Sequence, residues 1–176
     1  MATIDQFKAQ LTGGGARANQ FRVTMNTPGA VATGLDARRT SFLVKAAALP
    51  GRTMGEIAIP FRGRNLYIVG DSEFDTWETT IINDTDFMVR NAMERWQNAM
   101  NDTVTNTGLI NVADYQADLI VEQLDRDDTV LKSYILRGCF PQVVAPIELS
   151  YDTANAIEEF GVTWRYHHFE ASAVNF

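Results

Sequence analysis

Hydrophobic and polar positions alternate with period two in several stretches of the chain. In QFRVTM, Phe21, Val23 and Met25 fall on one face of a strand. FDTWETTII repeats the pattern, with Trp77, Thr79 and Ile81 on one side and Phe74, Thr76, Glu78 and Thr80 on the other. Near the C-terminus, Phe160, Val162, Trp164 and Tyr166 alternate with Gly161, Thr163, Arg165 and His167, a half-buried strand with aromatic packing on one side. ADLIVEQL and VLKSYILRGCF flank the polar cluster LDRDDT and read as a hairpin. TSFLVKAAALPG, residues 40–51, begins as a strand and must stop at Pro50, which has no N–H to continue a ladder. EIAIPFRGRNLYIVGD, residues 56–71, is extended but interrupted by Pro60 and Gly63, so it suits a sheet edge or a projecting loop.

The period changes once with conviction. NDTD offers several helix N-caps near Asp84, and in FMVRNAMERWQNAM the residues Val89, Met93, Trp96 and Met100 step by four, three and four onto one face. The pattern predicts a helix over about residues 85–100, its stripe widened by Met88, Ala92 and Ala99 and turned to the core. Arg90 and Glu94 form an outward pair. Ile4, Phe7 and Leu11 share one face of a short helical turn that GGG at 13–15 ends, giving an N-terminal arm of about residues 1–16. NTPGAVATGLD and NDTVTNTGLINVAD read as loops. Many strands and one flanking helix predict a single mainly-β domain over residues 1–176, with the helix covering one open face.

Composition narrows the function. A length of 176 residues, 45% hydrophobic and 21% charged, is enough for one real core. No apolar run approaches the roughly 20 residues that span a bilayer, so no membrane anchor is expected. Asp5 stands where a signal peptide would carry basic residues, so synthesis and initial residence in the cytosol are expected. The net charge of −7 argues against gripping nucleic acid, which needs clustered Lys and Arg. A single cysteine, Cys139, excludes an intramolecular disulfide and reads as a small buried hydrophobe.

Candidate chemistry is sparse. His167 and His168 are adjacent on a predicted strand and point to opposite faces, so they do not share a metal. GGGARAN lacks the pattern of a phosphate loop, and no cofactor is expected. A dyad of Cys139 with a histidine has no supporting local signature. Asp118 and Glu122 share a strand face and would serve a glycoside hydrolase if one of them had a raised pKa in a pocket, the remote alternative.

Four stretches taken in order resemble the tail tube protein family of contractile-tailed bacteriophages. ARANQFRVTM resembles its opening strand through Asn19, Phe21 and Val23, and KAAALPG its Ala-x-Leu-Pro-Gly corner. RGRNLYIVGDSEFDTWETTIIND resembles its most recognisable segment, with Gly-Asp, a Phe-x-x-Trp strand and an Asn-Asp helix start. LRGCFPQVVAPIELSYDTANAIEEFGVTWRYHHFE resembles its closing region through Gly138, Pro141, Leu149, Asp152, Asn155, Ile157, Phe160 and Val162. The departures lie in VATGLDARRTS and NDTVTNTGLINVAD, where the loops are longer.

The resemblance implies a β-sandwich or barrel-like fold with a flanking helix, shared with the haemolysin-coregulated tube proteins of type VI secretion. It implies a non-enzymatic structural virion protein, assembled in the host cytoplasm. Six copies form a ring, and rings stack into a hollow tube inside a contractile sheath, the conduit for genome ejection. Implied partners are copies of itself, the sheath protein, baseplate and tail terminator proteins, and tape measure protein and DNA in the lumen without sequence-specific binding. A tube subunit of another contractile injection system, or a baseplate or terminator protein of the same fold, is the alternative. Within that picture residues 49–65 form a projecting arm, and Leu49, Pro50, Arg62, Arg64 and Asn65 are candidates for inter-subunit contact. Asp118 and Glu122 are candidates to line the lumen, where carboxylates would repel DNA within the roughly 8–10 Å screening length of physiological salt.

Overall fold

A computed structural model describes residues 3–11 and 15–172. Helix α1 (Ile4–Gln10) is followed by β1 (Phe21–Met25), α2 (Ala37–Leu43), β2 (Val44–Ala47), β3 (Thr53–Phe61), β4 (Arg64–Glu73) and β5 (Trp77–Ile82). Then come α3 (Met88–Met100), α4 (Val112–Tyr115), β6 (Ala117–Leu124), β7 (Val130–Val144), β8 (Glu159–Arg165) and β9 (His168–Ala171).

Seven strands form one antiparallel sheet in the order β1-β6-β7-β8-β5-β2, with β9 pairing on β7. The sheet is not closed into a barrel. Strand β7 carries both halves: Leu136 and Arg137 pair with β9, while Phe140 to Val144 pair with β8. Between them Gly138 adopts φ +65°, a left-handed conformation that costs glycine little and lets the strand turn. A Cβ there would stand 2.5 Å from Cδ2 of His167.

The alternating faces meet in one core. Val23 and Met25 of β1, Leu119 and Val121 of β6, Trp77 and Ile81 of β5, and Phe160, Val162 and Trp164 of β8 are all buried. Helix α3 lays Val89, Ala92, Met93 and Trp96 on that core, with Met100 packed at its margin. The Trp96 and Trp164 rings meet edge to face with centroids 5.7 Å apart. Arg90 donates to the Ala145 carbonyl at 2.9 Å and Gln97 to that of Pro141 at 3.3 Å, tying the helix to the second half of β7.

Several expectations need correction. The segment from Thr40 begins as helix, not strand: Asp36 caps α2 by accepting from Arg38 and Arg39 N–H groups, and buried Thr40 donates Oγ1–H to the Asp36 carbonyl at 2.7 Å. Only Val44–Ala47 is strand there. Helix α3 starts at Met88, after Phe87 at φ +52°, and not near residue 85. Both carboxylates of the expected cap region, Asp84 and Asp86, are held by Arg39. Besides α3 and the expected N-terminal helical turn, seen as α1, the described residues include α2 and α4, the latter a single turn inside a predicted loop. The two histidines are not side by side on one strand. The chain bends at His167, whose Nε2 lies 2.9 Å from Nε2 of Gln116, and β9 begins at His168. Helix α1 ends at Gln10 with Leu11 as its cap, ahead of the glycines, of which Gly13 and Gly14 lie outside the described residues.

Candidate functional site

Among the described residues, strands β3 and β4 pair only with each other and form a two-stranded ribbon apart from the main sheet. Sequence reading placed an interrupted arm at 49–65, but the extended ribbon runs from Thr53 to Glu73. Gly63 interrupts the extended run as expected, as part of a turn: Arg62 at φ +47° and Gly63 at φ +82° make the two-residue turn that joins the strands. Pro60 sits within β3 opposite Asn65, where a free edge tolerates its missing N–H. At the base, Trp77 Nε1 donates to the Ala48 carbonyl at 2.6 Å, fixing the chain just before exposed Leu49 and half-buried Pro50.

The register sorts the ribbon into two unlike faces. Ile57 pairs with Ile68, Ile59 with Leu66 and Phe61 with Arg64, so one face is wholly apolar except at its tip. Glu56, Ala58, Pro60, Asn65, Tyr67 and Val69 make the other. On the apolar face Ile57, Ile59, Phe61, Leu66 and Ile68 are between 43% and 67% exposed. A lone two-stranded ribbon is marginal in water, and covering five half-exposed large side chains would release on the order of 4–8 kcal/mol before association costs. Arg62 stacks over the ring of Phe61 at 5.3 Å, and among the described residues neither Arg62 nor Arg64 has an ionic partner. The apolar face was missed from sequence. Its signal was the alternation on both sides of Arg-Gly, a spacing that fits a two-residue hairpin.

Asp118 and Glu122 do share one face of β6, opposite buried Leu119 and Val121. Neither carboxylate is free. Glu122 pairs with Arg22 of β1 at 2.7 Å, and Asp118 with Arg137 of β7 at 2.5 Å. Arg137 also grips Glu170 of β9 through two hydrogen bonds of 3.0 Å, so one guanidinium joins three strands. Burial alone would raise the Asp118 pKa, but the hydrogen bonds from Arg137 and the Gly138 N–H outweigh it and hold the carboxyl below its usual range. Arg137 likewise lowers Glu170. A glycosidase acid needs the opposite shift. Burial pushes the Cys139 thiol up to about 12, and its Sγ–H donates to the Leu136 carbonyl at 3.3 Å, which suits a packed hydrophobe and not a nucleophile.

An open antiparallel sheet, a flanking helix and a free-standing ribbon define a tube-type β fold. It superposes on a chain in the six-fold symmetrised cryo-EM structure of the anti-feeding prophage baseplate at a TM-score of 0.64, with 12% identity over 92% of this chain and 98% of that one. A chain of the extended sheath-tube complex of the PVC extracellular contractile injection system matches at a TM-score of 0.59, with 13% identity over 99% of this chain and 100% of that one. The family follows from sequence: residues 16–172 match the model of the phage tail tube protein family, and the chain belongs to it. The tail tube protein of Serratia phage KSP90 is 32% identical, covering 94% of this chain and 95% of its own length. Tail tube protein gp19 of Enterobacteria phage T4 is 30% identical over 97% of this chain and 100% of its own. The resemblance stated from motifs thus holds along nearly the whole chain, and membership makes this a structural tail tube protein, a component of the virion.

Proposed function

We propose that copies of this chain close head to tail into six-membered rings and that the rings stack into the inner tube of a contractile tail. Assembly takes place in the host cytoplasm, inside a sheath and between a baseplate and a terminator, and the finished tube conducts the genome. The observation that carries this reading is the ribbon, whose apolar face stays half-exposed among the described residues. A free face of that kind suits contact with another molecule, and head-to-tail contacts between identical copies generate rings and filaments. The open edges of the main sheet at β1 and β2 support it too, because pairing with neighbours removes edges that otherwise invite aggregation.

Leu49, Pro50, Arg62, Arg64 and Asn65 act in this reading as part of the inter-subunit arm, extended through the ribbon to Glu73. The face bearing Asp118 and Glu122 turns to the bore. Its chemistry is gentler than a bare row of acids: Arg22 and Arg137 are committed to carboxylates, so they do not adsorb passing phosphates. The tape measure protein and DNA occupy that bore without sequence-specific contact. The chain has no catalytic role; its carboxylates serve cross-strand pairing.

Negative-stain imaging and sedimentation of the purified chain over a wide concentration range test the reading. Rings and hollow tubes are expected. A single 19.6 kDa species at every concentration, with or without added tail initiation complex, would overturn it.

A further inference from the structure

We propose that the apolar face of the ribbon in one copy seats on the 147–158 loop of a second copy, with Arg62 and Arg64 meeting Glu148 and Asp152. The seat rests on the tube reading above and adds a specific partner surface to it. Both surfaces are exposed in the same chain, so they do not cover one another within it.

The loop offers what the ribbon lacks. Leu149, Tyr151 and Ile157 are each at least 72% exposed, an apolar set of large side chains to match Ile59, Phe61 and Leu66. No Lys or Arg occurs between Gly138 and Trp164, so the loop is purely acidic against the ribbon's two tip arginines. The carboxylates of Glu148 and Asp152 enter no ion pair among the described residues, whereas Glu158 is engaged by Asn83 at 2.9 Å and Glu159 by Lys45 at 2.5 Å.

Other exposed apolar positions fit less well. Val104 and Ile110 lie on an acidic loop, but Asp102 is committed to the Val104 and Thr105 N–H groups and Asp114 to Asn111. Phe42 shares its helix with Arg38, and the nearby carboxylates Asp84 and Asp86 are already committed to Arg39. On α1, Lys8 offsets Asp5 beside Ile4 and Phe7.

Two experiments decide the seat. In assembled tubes of the Phe61→Cys, Leu149→Cys double variant, mild oxidation should give a ladder of multimers on a non-reducing gel that neither single variant gives. The native Cys139 is buried and should not contribute. In parallel, Arg64→Glu should cut tube yield by about tenfold or more, and adding Glu148→Arg in the same chain should restore it. Unchanged thermal melts would show that both variants fold, since neither position lies in the core. Wild-type-like tubes that cross-link through Phe61→Cys with Ile110→Cys, or with neither partner, overturn the seat while leaving the tube intact. A wild-type chain that never assembles overturns the tube reading itself, and the seat with it.

Discussion

Replacing Trp96 by alanine probes the junction between helix and sheet. The indole is fully buried, packs edge to face on Trp164 at 5.7 Å and donates Nε1–H to the Tyr115 carbonyl at 2.6 Å. Truncating a buried aromatic to alanine costs about 3–5 kcal/mol. Leaving the Tyr115 carbonyl without its donor adds on the order of 1 kcal/mol, so a loss of about 4–6 kcal/mol is expected. With a urea dependence of about 2 kcal/mol per molar, the unfolding midpoint should fall by roughly 2–3 M. Far-UV circular dichroism of unassembled protein measures this without relying on the tryptophan removed. Trp96→Phe keeps a six-membered ring but loses the donor and part of the indole, so its drop should be smaller, about 2–3 kcal/mol. A midpoint shift below about 0.5 M in Trp96→Ala would refute the placement of this ring as the keystone between α3 and β8. Equal losses in the two variants would assign the effect to the hydrogen bond instead of the packing.

Gly138→Ala should destabilise the fold by about 1–3 kcal/mol, read by urea titration, because its φ of +65° and the 2.5 Å approach to His167 leave no room for a methyl group. Arg137 lowers the Asp118 and Glu170 pKa values from 3.8 and 4.5, so the stability they contribute is complete above that range and lost as pH falls through the lowered values. Arg137→Met should therefore be weaker near neutral pH yet change less between about pH 5 and pH 2, as followed by thermal melts across that range. Cys139, with its thiol raised to about 12, should resist thiol reagents in the folded chain and react at the rate of a free thiol in urea.

Elements whose faces are set by burial were legible in the sequence. Phe21–Met25, Trp77–Ile82 and Phe160–Trp164 alternate because one face meets the core, and the stripe from Val89 to Trp96 is buried for the same reason. The misreadings occur where another force sets the conformation. Thr40, Phe42 and Val44 alternate like a strand, yet Phe42 is 80% exposed; the Asp36 cap and the Thr40 hydroxyl, both local polar contacts, wind this segment into α2. The start of α3 falls later because Asp84 and Asp86 are held by Arg39, more than forty residues earlier, and Asp86 accepts from the Met88 N–H at 3.1 Å, so the helix starts at Met88.

The candidate site divides in the same way. That residues 56–71 suit an edge or a projecting loop was legible from Pro60 and Gly63, whereas the arm role of Arg62 and Arg64 came only from the family resemblance. The sorting of the ribbon into an apolar and a mixed face depends on cross-strand register, which two separate strings of letters do not display. Asp118 and Glu122 looked like free acids because their partners, Arg137 and Arg22, lie on two other strands. Net charge counted along the chain says little about a face whose charges cancel across it.

The central claim is that the ribbon's apolar face is held in reserve for a neighbouring copy. Its most direct test is the Ile59→Ser, Leu66→Ser double variant, compared with wild type by thermal melting and by electron microscopy. Both residues lie outside the core, so the account predicts a melt within about 0.5 kcal/mol of wild type together with the loss of tubes. Wild-type tubes from this variant, or a cooperative collapse of the body on heating many degrees early, would contradict it.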